Sequence, residues 1–183
     1  KYRVFTLLGD GELSEGSVWE AAMTASKYKL DNLTTIIDRN RLQITGNTEE
    51  VNPVEPLKDK FLSFGFTVME VNGNDISSLT EVLNRPLIEK DKPNLVIANT
   101  VKGSGISFME NQVSWHHKVP SPTEYDLAIK EYEIGIALAE IDPNGAAYCY
   151  ISRATQYERL REYDKAEEDY SSAIALEPEN AER

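Results

Sequence analysis

The sequence predicts a chain of two segments, with a parallel α/β sheet flanked by helices over residues 1–122 and an all-α helical-repeat segment over 123–183. Three observations predict it. Short apolar runs alternate with stretches of helical period in the first segment, the pattern of strands joined by crossover helices. Turn-forming glycines and polar residues close the apolar runs. In the second segment a single helical pattern recurs at a fixed offset, as in stacked helical arrays.

The elements follow in order. YRVFTLL at 2–8 is almost continuously apolar, as expected for a strand covered on both faces. After GDGELSEG, residues Val18, Ala21, Ala22, Ala25 and Tyr28 recur on one face of a helix. LTTIID at 33–38 reads as a second buried strand, residues 59–64 as a short helix, and FTVMEV at 66–71 as a third strand. Asn74 or Asp75 caps a helix running to about Leu87, and LVIANTV at 95–101 gives a fourth strand.

Composition bounds the function. With 40% hydrophobic residues, the 183-residue chain has enough apolar material for a core. One cysteine, Cys149, rules out an internal disulfide framework and makes a reduced, cytoplasmic setting the default expectation. No apolar run approaches the roughly 20 residues that span a bilayer, so no membrane partner is expected. The net charge of -12 is unevenly spread: residues 1–122 hold 13 Lys/Arg against 16 Asp/Glu, and residues 123–183 hold 6 against 15. That shift places a boundary near Pro120–Pro122, and the acidic second segment argues against nucleic acid.

In a parallel sheet, ligands gather beyond the carboxyl ends of the strands. Gly9-Asp10-Gly11, Arg39-Asn40-Arg41 and Lys102-Gly103-Ser104-Gly105 each follow an expected strand, so all three tips fall on one edge. Their chemistry suits a phosphate with a magnesium ion. Asp10 offers a carboxylate, Asn40 an amide oxygen, and the carbonyl of Leu42 lies two residues further on. Gly9 and Gly11 let the backbone turn sharply and approach a ligand. The helix that follows presents its N-terminal N–H groups to a diphosphate. A lone GDG is also ordinary turn chemistry, and it is the joint pattern that singles this one out.

GDGELSEGSVWEAA, DNLTTIIDRNRLQITGNTEEV and VKGSGISFMENQVSWHH together resemble the thiamine diphosphate-binding domain of transketolases over roughly residues 1–135. The stretches after GDG look most like the small amino-terminal subunit of two-chain transketolases. They are less like the related deoxyxylulose phosphate synthases. The resemblance implies two-carbon ketol transfer between sugar phosphates. It also implies that Asp10, Asn40 and the Leu42 carbonyl hold Mg²⁺, and that Gly11 approaches the cofactor diphosphate. Glu15 matches a glutamate in the network joining paired active sites, and Lys102 a lysine near the cofactor. His116 matches a histidine over the cofactor beside the substrate. Histidine also suits that place on its own chemistry, because it exchanges protons near neutral pH; His117 is left open.

The resemblance further implies strands and cofactor-contacting histidines upstream of Lys1, so that the fold here is incomplete at its amino-terminal side. It implies, too, that a second transketolase domain or subunit supplies the glutamate that activates the cofactor's aminopyrimidine ring.

In the second segment, YDLAIKEYEIGIAL at 125–138 and YDKAEEDYSSAIAL at 163–176 align at an offset of 38. Counting back from Pro178, residues Tyr150, Ala154, Tyr157, Ala166, Tyr170 and Ala173 occupy positions that resemble a tetratricopeptide repeat over residues 124–180. Small residues at 154, 166 and 173 allow close helix contact, and Tyr157 and Tyr170 fill the gaps between them. Such arrays need three or more repeats for independent stability, so this short run of about one and a half is expected to lean on the sheet, on a protein partner or on a continuation of the array. A concave helical face would be the contact surface. A helical cap without a specific partner is the equal alternative. Cys149 reads as a packing residue.

Overall fold

The computed structural model describes residues 2–85 and 89–176. They form two compact units: residues up to Ser104 together with Asn111–His117, and Gly105–Glu110 together with the chain from Lys118 onward.

In the first unit, β1 (Val4–Gly9) leads through a 3-10 turn to α1 (Gly16–Lys27) and β2 (Leu33–Arg39). A short hairpin of β3 (Leu42–Gln43) and β4 (Gly46–Asn47) follows, then α2 (Thr48–Val51) and α3 (Leu57–Ser63). The remaining elements are β5 (Thr67–Asn72), α4 (Ile76–Asn84) and β6 (Asn94–Asn99). Four strands pair in the order β1-β2-β6-β5, every pair parallel. Registers such as Gly9↔Asp38 and Arg39↔Asn99 bring the carboxyl ends of the strands to one edge. The expected parallel sheet with flanking helices is therefore the fold.

The central strands are the buried ones. Residues 94–98 of β6 are all buried, as the continuous apolar run LVIA requires. Below them Leu13, Ile37, Leu57, Phe61 and Phe66 form the core, and Trp19 packs on Phe61 and Phe64 while its indole N–H donates to the Leu13 carbonyl at 2.9 Å. Asp75 is the helix cap: its Oδ1 accepts the backbone N–H groups of Ser77 and Ser78. The expected end of that helix near Leu87 lies outside the described residues.

Two expectations are corrected. β1 is not covered on both faces: Phe5 is 47% and Leu7 69% exposed, because among the described residues no helix or loop buries those side chains, and β1 lies at the edge of the described sheet. On α1, Ala22 and Ala25 are buried, but Ala21 and Tyr28 are exposed. Tyr28 falls just past the last helical residue, and Ala21 borders an open apolar hollow of 290 Å³ beside β1.

The second unit holds α5 (Pro122–Ala137), α6 (Pro143–Arg159) and α7 (Tyr163–Leu176). Ser121 and Glu124 cap α5 reciprocally, each side chain taking the other's backbone N–H, with Pro122 at the first helical position. Ala154, Ala166 and Ala173 are all buried where α6 meets α7. Arg153 on α6 grips the buried Asp169 of α7 through Nε and a terminal nitrogen, at 2.8 and 2.7 Å. At the α5–α6 contact, Gly135 leaves room for Cys149; a Cβ there would lie 2.4 Å from its sulfur. Pro178 lies outside the described residues. Among the described residues, no helix is long and apolar enough to cross a membrane.

Candidate functional site

Asp10 stands one residue past β1, where its N–H donates to the Asp38 carbonyl at 3.1 Å. The residue is only 2% exposed. One carboxylate oxygen accepts the N–H of Gly11 at 2.8 Å and the other accepts the N–H of Arg41. Asn40, at the end of β2, turns its amide oxygen onto the N–H of Leu42 at 3.0 Å. Gly9, Asp10, Gly11, Asn40, Leu42 and His116 all border one cavity of 520 Å³. Two loops and a distant histidine thus meet at the carboxyl edge of the sheet.

Burial pushes the Asp10 carboxyl above the usual carboxylate range. The Arg41 and Gly11 N–H groups pull against it, Asp38 adds repulsion, and Arg39 offsets some of that. The balance is upward, as burial of a carboxylate predicts. Among the described residues no three His, Cys, Asp or Glu side chains gather to hold a metal. One carboxylate, one amide oxygen and one carbonyl is instead the sparse oxygen set that Mg²⁺ takes, with phosphate and water completing its shell. Asp10 and Asn40 each retain lone pairs beyond their internal hydrogen bonds, so the donor set fits.

The turn at the two glycines does not draw on a left-handed conformation. Neither is in the left-handed region, which is occupied by Gly46, Gly65, Gly103 and Gly105. Gly11 makes room for a neighbour, since a Cβ there would lie 2.8 Å from the Cβ of Gln43. Gly9 would meet nothing within 4 Å and leaves its stretch of the wall open.

His116 follows a 3-10 turn at Val113–Trp115. Burial first, then the charges of Lys102 and His117, hold its pKa below the usual histidine value, so the ring is neutral at pH 7. Its Nδ1 is buried with no hydrogen-bond partner among the described residues. Its ring packs edge-on to His117 at 4.7 Å. Lys102 is not on the cavity wall but stands close enough to act on His116 electrostatically. Glu15 is exposed at the start of α1, caps it with no side-chain hydrogen bond, and is also off the wall. Sequence reasoning missed Glu12, Gln43, Ile44 and Thr45 as wall residues. Glu12 carried a faint signal, three residues past Gly9, whose N–H its carboxylate accepts at 3.2 Å.

A parallel sheet with an acidic Gly-Asp-Gly tip, an asparagine tip and a neutral histidine around one cavity defines a cofactor-binding α/β domain of the thiamine diphosphate type. The chain belongs to the transketolase family: residues 1–139 match the transketolase thiamine diphosphate binding domain. It is 44% identical over 144 residues to the A-subunit of apulose-4-phosphate transketolase from Phocaeicola vulgatus, a match covering 79% of this chain and 51% of that protein. The protein of that name from Actinobacillus succinogenes is 50% identical over 131 residues, covering 72% of this chain and 47% of its own length. The chain thus spans about half the length of these relatives. Among solved structures, the transketolase of Campylobacter jejuni superposes with a TM-score of 0.65 at 27% identity, covering 96% of this chain and 26% of that one.

Proposed function

We propose that this chain is the metal-and-diphosphate half of a transketolase site, moving two-carbon ketol units between sugar phosphates once a second domain or subunit completes it. The observation that carries the reading is the buried Asp10 carboxylate facing Asn40 and Leu42 across one cavity. Asp10, Asn40 and the carbonyl of Leu42 would hold Mg²⁺, the open wall at Gly9 would admit the diphosphate, and the backbone of Gly11 would approach it. Bound thiamine diphosphate would supply a nucleophilic thiazolium carbon and an electron sink for cleaving a carbon–carbon bond beside a ketone. His116, neutral and with Nδ1 unpartnered among the described residues, accepts or returns a proton at a substrate oxygen. Burial, and after it the charge of Lys102, favours the neutral form of that histidine. Glu15 would serve the contact with a paired site, away from the cavity. The activating glutamate comes from the completing domain or subunit. The names of the two relatives, each the A-subunit of a transketolase, support that division of labour.

Titration calorimetry with thiamine diphosphate, with and without Mg²⁺, tests the reading on the complex of this chain with its completing subunit. Binding should require Mg²⁺ and be lost in Asp10→Ala. Equal binding by that variant sinks the proposal.

We further read residues 123–183 as a tetratricopeptide-like helical segment available for protein contact. Support comes from the close α6–α7 packing through Ala154, Ala166 and Ala173.

A further inference from the structure

We propose that a second cavity, beyond the carboxyl ends of β2, β6 and β5, binds a small hydroxylated phosphomonoester, and that Arg41 connects this site to Asp10. The cavity measures 580 Å³ and shares only Asn40 with the wall around Asp10.

Its lining is rich in donors. Asn72 spends its amide oxygen on the N–H of Asn74 at 3.1 Å. Asn74 spends its own on the N–H of Val101 at 2.7 Å. Asn99 gives its oxygen to Arg39 at 3.1 Å. Backbone and guanidinium donors fix which end of each amide is oxygen, so the three NH₂ groups are left without a partner among the described residues. Arg39 is held rigid between Glu55 and Asn99. Lys58 and Glu70 neutralise each other at 3.0 Å. Glu55 balances one of the two arginines. Arg41, exposed and in no ion pair among the described residues, leaves a surplus positive charge in a chain of net charge -12. Three spare amide donors and one spare guanidinium call for a ligand made of acceptors. A phosphoryl group satisfies the guanidinium, and sugar-like hydroxyls satisfy the amides.

Arg41 faces both sites. Its N–H holds the Asp10 carboxylate while its side chain lines the second cavity. Its backbone has a φ of 65°, a conformation few residues adopt, and a ligand that reorients this residue would act on the N–H that Asp10 accepts. The coupling rests on Asp10 being a cofactor ligand; the phosphate site does not.

Inorganic phosphate and glycerol 3-phosphate, titrated into the full chain by calorimetry, provide the test. Glycerol 3-phosphate should bind more tightly than inorganic phosphate. Asn72→Asp keeps the oxygen that Asn74 needs but turns a donor into a charge, and Arg41→Gln removes the guanidinium. Each should weaken binding about tenfold or more, with unchanged circular dichroism. Asn99→Asp, which keeps its contact to Arg39, tests the same point should Asn72→Asp misfold. Ile44→Glu, which puts a negative charge on the wall of the first cavity alone, should still bind glycerol 3-phosphate. Wild-type affinity in the Asn72 and Arg41 variants overturns the site, and so does loss of binding in Ile44→Glu, which would place the anion in the cofactor cavity. In the completed complex, saturating glycerol 3-phosphate should shift Mg²⁺-dependent thiamine diphosphate affinity in wild type but not in Arg41→Gln; no shift in wild type overturns the coupling. Absence of all thiamine diphosphate binding would defeat the cofactor reading while leaving the phosphate site standing.

Discussion

The backbone N–H of Arg41 donates to the carboxylate of Asp10 across 31 residues of chain, joining the tips of two parallel strands at one buried group. Replacing Asp10 by Asn keeps the shape but leaves a single acceptor for two N–H donors, those of Gly11 and Arg41. An NH₂ then faces one N–H, which costs about 1 kcal/mol or more, partly offset by loss of the buried charge. Urea unfolding should show Asp10→Asn less stable than wild type, and calorimetry on the completed complex should show no Mg²⁺-dependent cofactor binding. A variant as stable as wild type would mean that the two hydrogen bonds do not hold the loops together.

Arg153 and Asp169 give a second prediction. Their side chains are 16% and 6% exposed and doubly hydrogen-bonded, so removing one partner strands a buried charge. Asp169→Ala and Arg153→Met should each destabilise the helical unit by about 3–5 kcal/mol. The double variant Arg153→Met/Asp169→Leu should recover most of that loss. Denaturant melts of the three variants measure the coupling; additive single effects would contradict it.

Gly135 and Cys149 give a third. Alanine is a better helix former than glycine by about 1 kcal/mol, yet here a Cβ would lie 2.4 Å from the Cys149 sulfur. Gly135→Ala should therefore lower the melting temperature. Removing the sulfur with Cys149→Ala in the same chain should reverse the sign, so that Gly135→Ala becomes neutral or stabilising in that background.

The α5 cap makes a pH prediction. A hydrogen bond from Lys118, then those from the Ser121 backbone and side chain, lower the pKa of Glu124 from 4.5 to about 2. A folded-state value below the unfolded one means that the cap contributes fully above pH 4.5, and that its contribution is lost as pH falls toward 2. Helicity followed by circular dichroism as the pH is lowered through that window should fall less in Glu124→Gln than in wild type, each measured relative to itself at neutral pH.

Much of this was legible in the sequence because parallel strands advertise themselves. LTTIID and LVIANTV are short runs rich in β-branched residues, and a parallel sheet forces the loops after them to one edge; from that alone Asp10 and Asn40 could be brought together. The exposure of β1 was not legible, since YRVFTLL has the same apolar look at an edge as in the middle. Arg153 and Asp169 sit 16 residues apart on different helices, and nothing in their spacing marks them as partners. The role of Gly11 was equally hidden. The space of its missing Cβ is filled by Gln43, a contact that only the closed loop reveals. Residues 105–110 carry no compositional mark of the helical unit with which they cluster.

The open outer side of β1 has a practical consequence for handling the protein. Tyr2, Phe5 and Leu7 are all strongly exposed beside a row of backbone groups with no neighbouring strand among the described residues. Wherever this row is left bare, two copies can zip together along it in a reaction second order in protein. Such material keeps best when dilute, and Leu7→Lys would raise the concentration at which it clouds.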